Sequence, residues 1–263
     1  MSEAESPKDP QFVTALARGL EVLRCFTPER LELGTTEIGR LTGLPQSTVW
    51  RLCYTLSNLG YLVPGSHPDR LRVSASVLLL GHAAVSHAGL GEFALPLMKR
   101  IADEFGAAVS IAEPERLQMV IVQRSEARNI LSVNLHIGSA LPMAGSSLGW
   151  AYLAALDDAR RRPLLERLRK AQGEDWAKVR ADIDAALADY QRLGCVFNLG
   201  KSHREINAIG VPAISPDGQR IVALTCGGAR SSLTRETLLT RVAPALRELA
   251  ARIGPLIGTS ARG

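Results

Sequence analysis

The 263 residues read as an α+β chain in two parts: a small helical unit closed by a β-hairpin, and a larger unit of antiparallel strands flanked by helices. Three observations predict this. Residues 34–56 divide into two short amphipathic segments around Gly43-Leu44-Pro45, with a strand, loop and strand pattern directly behind them. Residues 74–89 form one mostly apolar stretch bounded by glycine. Beyond it, strand-like runs separated by polar turns stand apart from long helical patterns, which is the order of a meander sheet with helices on its faces.

Composition sets the class. A chain that is 46% hydrophobic and 22% charged can bury two ordinary cores. No run approaches the ~18 apolar residues of a membrane span, and the polar residues 1–10 lack a signal-peptide core. Residues 1–11 are therefore expected to be disordered, the protein to be cytoplasmic, and a membrane to be no partner. Cys25, Cys53, Cys195 and Cys226 show no paired spacing, so neither a zinc site nor a disulfide framework is expected. They read as small buried apolar residues, with Cys195 and Cys226 able to line a pocket. His82 and His87 are five apart and miss the i,i+4 spacing of a helical metal pair. No metal and no cofactor is expected. The net charge of +5 is located unhelpfully: residues 1–90 hold eight Lys and Arg against eight Asp and Glu, leaving 23 against 18 in the remainder. Any case for nucleic acid must come from motifs, not from bulk charge.

The first unit is expected over residues 12–73. Phe12, Leu16, Leu20, Val22, Leu23 and Phe26 fall near helical spacing, predicting a first helix that packs beneath the next two. Thr35 or Thr36 can cap the second helix, whose Ile38 and Leu41 turn inward. Gly43 can take the positive φ of a tight corner, Leu44 can plug the angle, and Pro45 suits the first turn of a third helix. That third helix turns Val49, Leu52 and Leu56 inward. The pair is a helix-turn-helix. Gln46, Ser47 and Thr48 at the exposed start of the third helix, with Arg51 on the same side, suit the reading of base edges. Thr36, Tyr54 and Arg70 are placed to fix phosphates. Strands at 60–63 and 70–73 around a turn-rich loop form a wing, where Arg70, Arg72 and His67 would meet the backbone of double-stranded DNA. A plain helical hairpin with a solvated polar face is the competing reading.

Residues 74–90 read as a linker helix whose apolar surface suits a second copy of itself, so a homodimer contact is placed there. The second unit, residues 91–260, begins with a helix over 92–105. Strands follow at 108–111, 119–122 and 130–133, then helices at 150–156, 159–171 and 176–193. Strands at 195–197, 208–214 and 221–225 enclose the turn Ser215-Pro216-Asp217-Gly218, and a long amphipathic helix over 233–257 closes the chain.

Residues 138–150 carry the main chemical signal of this unit. Small residues let the backbone approach closely, and Ser146 and Ser147 stand at a helix start, where free N–H groups and the helix dipole suit an anion such as a carboxylate. Two other readings compete. Gly145-Ser146-Ser147-Leu148-Gly149 matches the Gly-x-Ser-x-Gly nucleophile elbow of a serine hydrolase, with Ser147 as nucleophile and Asp184 or Asp189 and His203 following. Meander strands lack the parallel framework that this elbow needs. Alternatively, the small residues serve close packing alone.

The helix-turn-helix and wing, Leu141-Pro142-Met143, the Ser-Ser-Leu-Gly turn before Ala151-Tyr152-Leu153-Ala154, and Ile206-Asn207-Ala208-Ile209-Gly210-Val211-Pro212 before the Pro-Asp-Gly hairpin together resemble the IclR family of bacterial transcriptional regulators. The resemblance spans roughly residues 12–257. It implies a winged helix-turn-helix, a linker helix and a GAF-like effector domain, acting as a homodimer or dimer of dimers on a partly palindromic operator. It also implies a small organic-acid effector, often from catabolism, which either releases DNA or brings in RNA polymerase. By position, Ile130, Val133, Ser147, Leu148, Asn198, Ile206, Ala208, Thr225 and Gly227 would line the effector pocket. Three positions depart from the family pattern: Asn198 stands where an acid is frequent, Trp150 where a base is frequent, and Ala208 where some relatives have Cys.

Overall fold

The computed structural model describes residues 11–87, 90–128 and 134–257. The expected disorder of residues 1–11 falls, apart from Gln11, outside the described residues, as does the expected strand at 130–133. The chain divides into two compact units, Met1–Ala84 and Val85–Gly263.

The first unit contains α1 (Thr14–Arg24), β1 (Glu32–Gly34), α2 (Thr35–Thr42), α3 (Gln46–Asn58), β2 (Leu62–Pro64) and β3 (Arg70–Val73). The helix-turn-helix forms with its corner as the sequence predicts, Gly43 closing α2 with φ 69°, the left-handed conformation that costs a glycine nothing. Ile38 is buried as expected, but Leu41, expected inward, is 43% exposed. The cap differs. Gly34, not a threonine, is the N-cap, and the Glu37 carboxylate accepts its N–H at 3.0 Å. The wing also gains a strand that the sequence reading missed, for β1 adds to the hairpin in the order β1-β3-β2, with Leu33 opposite Leu71. One buried residue between two half-buried ones is too short a pattern to read as a strand alone. The core comprises Val22, Cys25, Leu33, Ile38, Val49, Cys53, Leu56 and Leu62. Only the end of α1 reaches it, because Phe12, Leu16 and Leu20 are exposed.

After α4 (Ser76–His87), α5 (Leu90–Phe105) opens the larger unit. Then come β4 (Ala108–Glu115), β5 (Gln118–Glu126), β6 (Ala140–Pro142), α6 (Ser147–Ala155), α7 (Asp158–Gln172), α8 (Trp176–Leu193), β7 (Val196–Leu199), β8 (Ile206–Ile214) and β9 (Ile221–Ala229). A short α9 (Arg235–Thr237) passes through one π-helical stretch, Leu238–Val242, into α10 (Ala243–Ile257), so the predicted final helix is interrupted. The six strands lie in the order β6-β5-β4-β9-β8-β7, every pairing antiparallel.

Strand alternation divides the core in two. Val109, Ile111, Ile209, Val211, Val222, Leu224 and Cys226 pack with α5 and α10 on one face. Ala112, Met119, Ile121, Val196, Ile221 and Ala223 pack with α6 and its neighbours on the other. Neighbouring residues along each strand therefore take opposite faces, and Ala108, Ser110, Asn198, Ala208, Thr225 and Gly227 share the α6 side.

Cys226 belongs to the opposite face, and its complete burial pushes its thiol up to about 12 from an ordinary 9.0. A group that is more readily deprotonated when unfolded leaves the folded state holding more protons, so stability falls as pH rises above that ordinary value. The loss should approach ~1.4 kcal/mol per pH unit between about pH 9 and 12. Urea unfolding at pH 8 and pH 10.5 should show a shallower alkaline loss in Cys226→Ala than in the wild type; equal slopes would refute it.

Candidate functional site

Two regions collect the residues singled out in the sequence, one in each unit. In the first, α3 buries Val49, Cys53 and Leu56 and turns its other side outward. Ser47, Arg51 and Tyr54 are exposed there, Thr48 is half-buried, and Thr36 is exposed on α2. Gln46 is held back. Its Nε2 donates to Thr35 Oγ1 at 2.8 Å, bracing α3 against the start of α2. Arg70 is engaged as well: Nη1 donates to Glu37 Oε2, the same oxygen that accepts the Gly34 N–H. This half-buried pair fastens the wing to α2. Glu32 holds the wing loop, accepting the Ser66 hydroxyl at 2.6 Å and the Ser66 N–H at 3.0 Å. Those bonds, the hydroxyl first, keep its carboxyl below the usual carboxylate range. Exposed His67 and Arg72 complete the wing surface.

Trp50 was not singled out from the sequence. It is 58% exposed and stacks on Tyr54, with ring centroids 5.4 Å apart and planes 13° from parallel. The signal was two aromatic residues at i and i+4 on the non-core side of a helix.

In the second unit, a cavity of about 530 Å³ opens on the α6 face of the sheet. Of the nine residues expected there, Ser147, Leu148, Asn198, Ile206, Ala208, Thr225 and Gly227 all line it; Ile130 and Val133 lie outside the described residues. Apolar walls come also from Ile121, Leu135, Leu141 and Pro142, while Ser110, Arg124, Lys201 and His203 add polar groups that the sequence reading did not name. Ser110 could have been found from strand alternation with Ala108. The loop residues Lys201 and His203 carry no periodic signal.

Close packing sets the geometry at the start of α6. A Cβ on Gly149 would lie 2.0 Å from the Met143 carbonyl oxygen, and one on Gly210 would lie 2.4 Å from that of Ser147. The start of α6 is thus pressed against the preceding turn and against β8, which no side chain would permit. Ser146 caps the helix, its Oγ accepting the Gly149 N–H at 3.1 Å and donating to Pro142 O. Helix geometry leaves the N–H groups of Ser147 and Leu148 without intrahelical acceptors. The Thr225 hydroxyl donates to Ile209 O at 2.9 Å, so Ser147 Oγ, 2.9 Å from Thr225 Oγ1, must be the donor to it. Ser147 Oγ therefore faces the cavity as an acceptor.

Asn198 lines the cavity and also braces its rim. Its amide donates to Gly145 O at 3.0 Å and Ser202 Oγ at 2.7 Å, and accepts the N–H groups of Lys201 and Ser202 at 3.1 and 3.2 Å. These bonds occupy the amide's capacity and tie the Lys201–Ser202 loop to the turn before α6. Trp150 does not reach the cavity; it is buried, with Nε1 donating to Ala144 O at 2.7 Å. Cys195 and Cys226 likewise sit in the opposite core. Arg124 donates Nη1 to Ser110 Oγ at 2.8 Å and Nε to Glu126 Oε1 at 2.7 Å, while Lys201 pairs with Asp182. Neither carboxylate lines the cavity, and no described lining residue is acidic.

The bacterial transcriptional regulator IclR C-terminal model matches residues 82–254, and the IclR helix-turn-helix domain model matches residues 15–65. This chain belongs to the IclR family. The regulator is 30% identical to the HTH-type transcriptional regulator TsaQ1/TsaQ2 of Comamonas testosteroni over 240 residues, covering 90% of this chain and 86% of the relative. An IclR family transcriptional regulator from Brucella abortus superposes with a TM-score of 0.87 at 38% identity, covering 96% of this chain and 95% of that one. An IclR homolog from Microbacterium hydrocarbonoxydans complexed with 4-hydroxybenzoate superposes with a TM-score of 0.70 at 25% identity, covering 92% and 98%.

This IclR-family chain is a transcriptional regulator with a helix-turn-helix domain, and not an enzyme. The serine hydrolase reading fails on structure too. The sheet is antiparallel throughout, and the Ser147 hydroxyl serves Thr225. Asp184 pairs with Arg180, and Asp189 with Arg192. His203 shares the cavity but makes no hydrogen bond to Ser147.

Because backbone, not a flexible side chain, blocks the added methyl, Gly149→Ala and Gly210→Ala should each destabilise the larger unit by about 3 kcal/mol or more. Urea unfolding followed by tryptophan fluorescence measures this, and losses below ~1 kcal/mol would show that α6 can withdraw from the sheet.

Proposed function

We propose that this regulator binds a partly palindromic operator as a homodimer or dimer of dimers, and that a small organic acid in the α6 cavity controls that binding or its outcome. The cavity carries the proposal. It is of ligand size, apolar along its walls, and supplied with free helix N–H groups, Arg124, Lys201 and His203 but no lining carboxylate among the described residues. An aromatic or aliphatic carboxylate satisfies all of these. The 4-hydroxybenzoate in the Microbacterium homolog supports that class and supports a link to catabolism. Ser147 as a remaining acceptor favours an acid that also bears a hydroxyl.

In the first unit, Ser47, Thr48 and Arg51 read the major groove, and Thr36 and Arg72 meet the backbone; Tyr54, stacked on Trp50, joins the groove-reading face instead of the phosphate contacts. Gln46 and Arg70 act through the α2–α3 and wing–α2 contacts that they already hold. Leu78, Leu79 and Leu80 on α4 are 73%, 73% and 56% exposed, which supports the linker as a contact between copies. A duplex-binding regulator of this kind acts in the cytoplasm. The effector acts by binding one arrangement of the DNA-binding units more tightly than another.

The test pairs a thermal-shift screen of hydroxylated and plain carboxylic acids with gel shifts on the promoters beside the protein's own gene. A stabilising acid should alter operator occupancy, and Ser147→Ala should blunt that response while leaving DNA binding by the free protein intact. If no carboxylic acid shifts either readout, the second unit is an assembly module. Arg51→Ala should weaken operator binding by ~1–3 kcal/mol if Arg51 contacts a base; an unchanged operator preference removes that role.

A further inference from the structure

The recognition face of α3 holds more apolar area than the polar reading uses. Trp50 and Tyr54 are more than half exposed, and their rings lie nearly parallel at 5.4 Å. Stacking fixes each ring against the other, so the pair forms a flat plate whose ordering cost falls before any partner arrives. Helical spacing sets this plate beside Ser47 and Arg51, and α3 contains no Asp or Glu. The exposed apolar residues suited to contact between copies lie elsewhere, at Phe12 just ahead of α1, at Leu16 and Leu20 on α1, and at Leu78, Leu79 and Leu80 on α4. A face that joins an aromatic plate, hydroxyls and a cation, with no carboxylate, matches the major groove. There phosphates flank base edges, and the apolar group on offer is the thymine C5-methyl.

We infer that the Trp50–Tyr54 plate determines operator specificity by packing on thymine methyl groups in the major groove. The inference rests on the DNA-binding reading above and adds a base preference to it: each half-site contains thymine under the middle of α3. Arg51, one residue after Trp50, then reads the neighbouring pair through its guanidinium. The contact is apolar, so the discrimination it gives should depend less on salt than the phosphate contacts do.

The test uses the full chain and an operator selected from its own genomic fragments, with affinity read by fluorescence anisotropy. Each thymine is replaced singly by deoxyuridine, which removes the methyl group and leaves base pairing intact. One or two positions per half-site should lose about four-fold in affinity, the value of one buried carbon. Trp50→Ala should bind the thymine and deoxyuridine operators equally, and Trp50→Phe should restore part of the difference. Both residues are exposed, and thermal melting checks that each variant remains folded. Equal wild-type affinity for all the substituted operators, or discrimination that survives in both Trp50→Ala and Tyr54→Ala, overturns the inference while leaving DNA binding in place. Failure to bind any genomic fragment overturns the DNA-binding reading itself.

Discussion

The larger unit depends on a contact between two stretches of backbone. Gly149 and Gly210 let α6 descend onto the turn at Met143 and onto β8 until no Cβ could fit between them. With the helix held there, Ser147 and Leu148 of its first turn line a cavity whose other wall is the sheet. Ser146 caps the helix and Ser147 bonds to Thr225 across the gap, so both ends of that approach are pinned by hydrogen bonds. A helix start fixed in this way offers its dipole without reorganisation when a ligand enters.

A comparable economy holds the first unit together. Its core is eight residues, few enough that polar fastenings matter. Glu37 joins the N-cap of α2 to Arg70 on the wing, and Glu32 joins β1 to the wing loop through Ser66. Two carboxylates thus set the angle between the helices and the ribbon. The side chains left outward, including Arg51, Arg72 and the Trp50–Tyr54 pair, are displayed on a frame that does not need them.

Much of this was legible from the chain. Periodicity and the Gly-Leu-Pro corner located the helix-turn-helix, and small residues before a helix located the cavity, because these signals are local. What escaped was long-range. Strand β1 exists through pairing with residues about 40 positions later, a distance no short window spans. Thr35 and Thr36 looked like caps, but Glu37 reached back to do that work. Arg70 is expected at a DNA-facing surface from its residue type and Asn198 at the pocket from the family resemblance, whereas the Arg70 contact with Glu37 and the Asn198 contact with Gly145 join residues more than 30 positions apart. The loop at Lys201 and His203 has no periodic pattern, and hydrogen bonds from Asn198 and from the Ser202 hydroxyl to Gly145 O bring it to the cavity.

All four cysteines are buried, and desolvation raises the pKa of each. Thiolate, the form that attacks peroxides and electrophiles, is therefore scarce in the folded protein at neutral pH. Oxidative stress has no ready handle among these sulfurs. None of the four thiols is poised to couple the state of this regulator to the redox state of its surroundings.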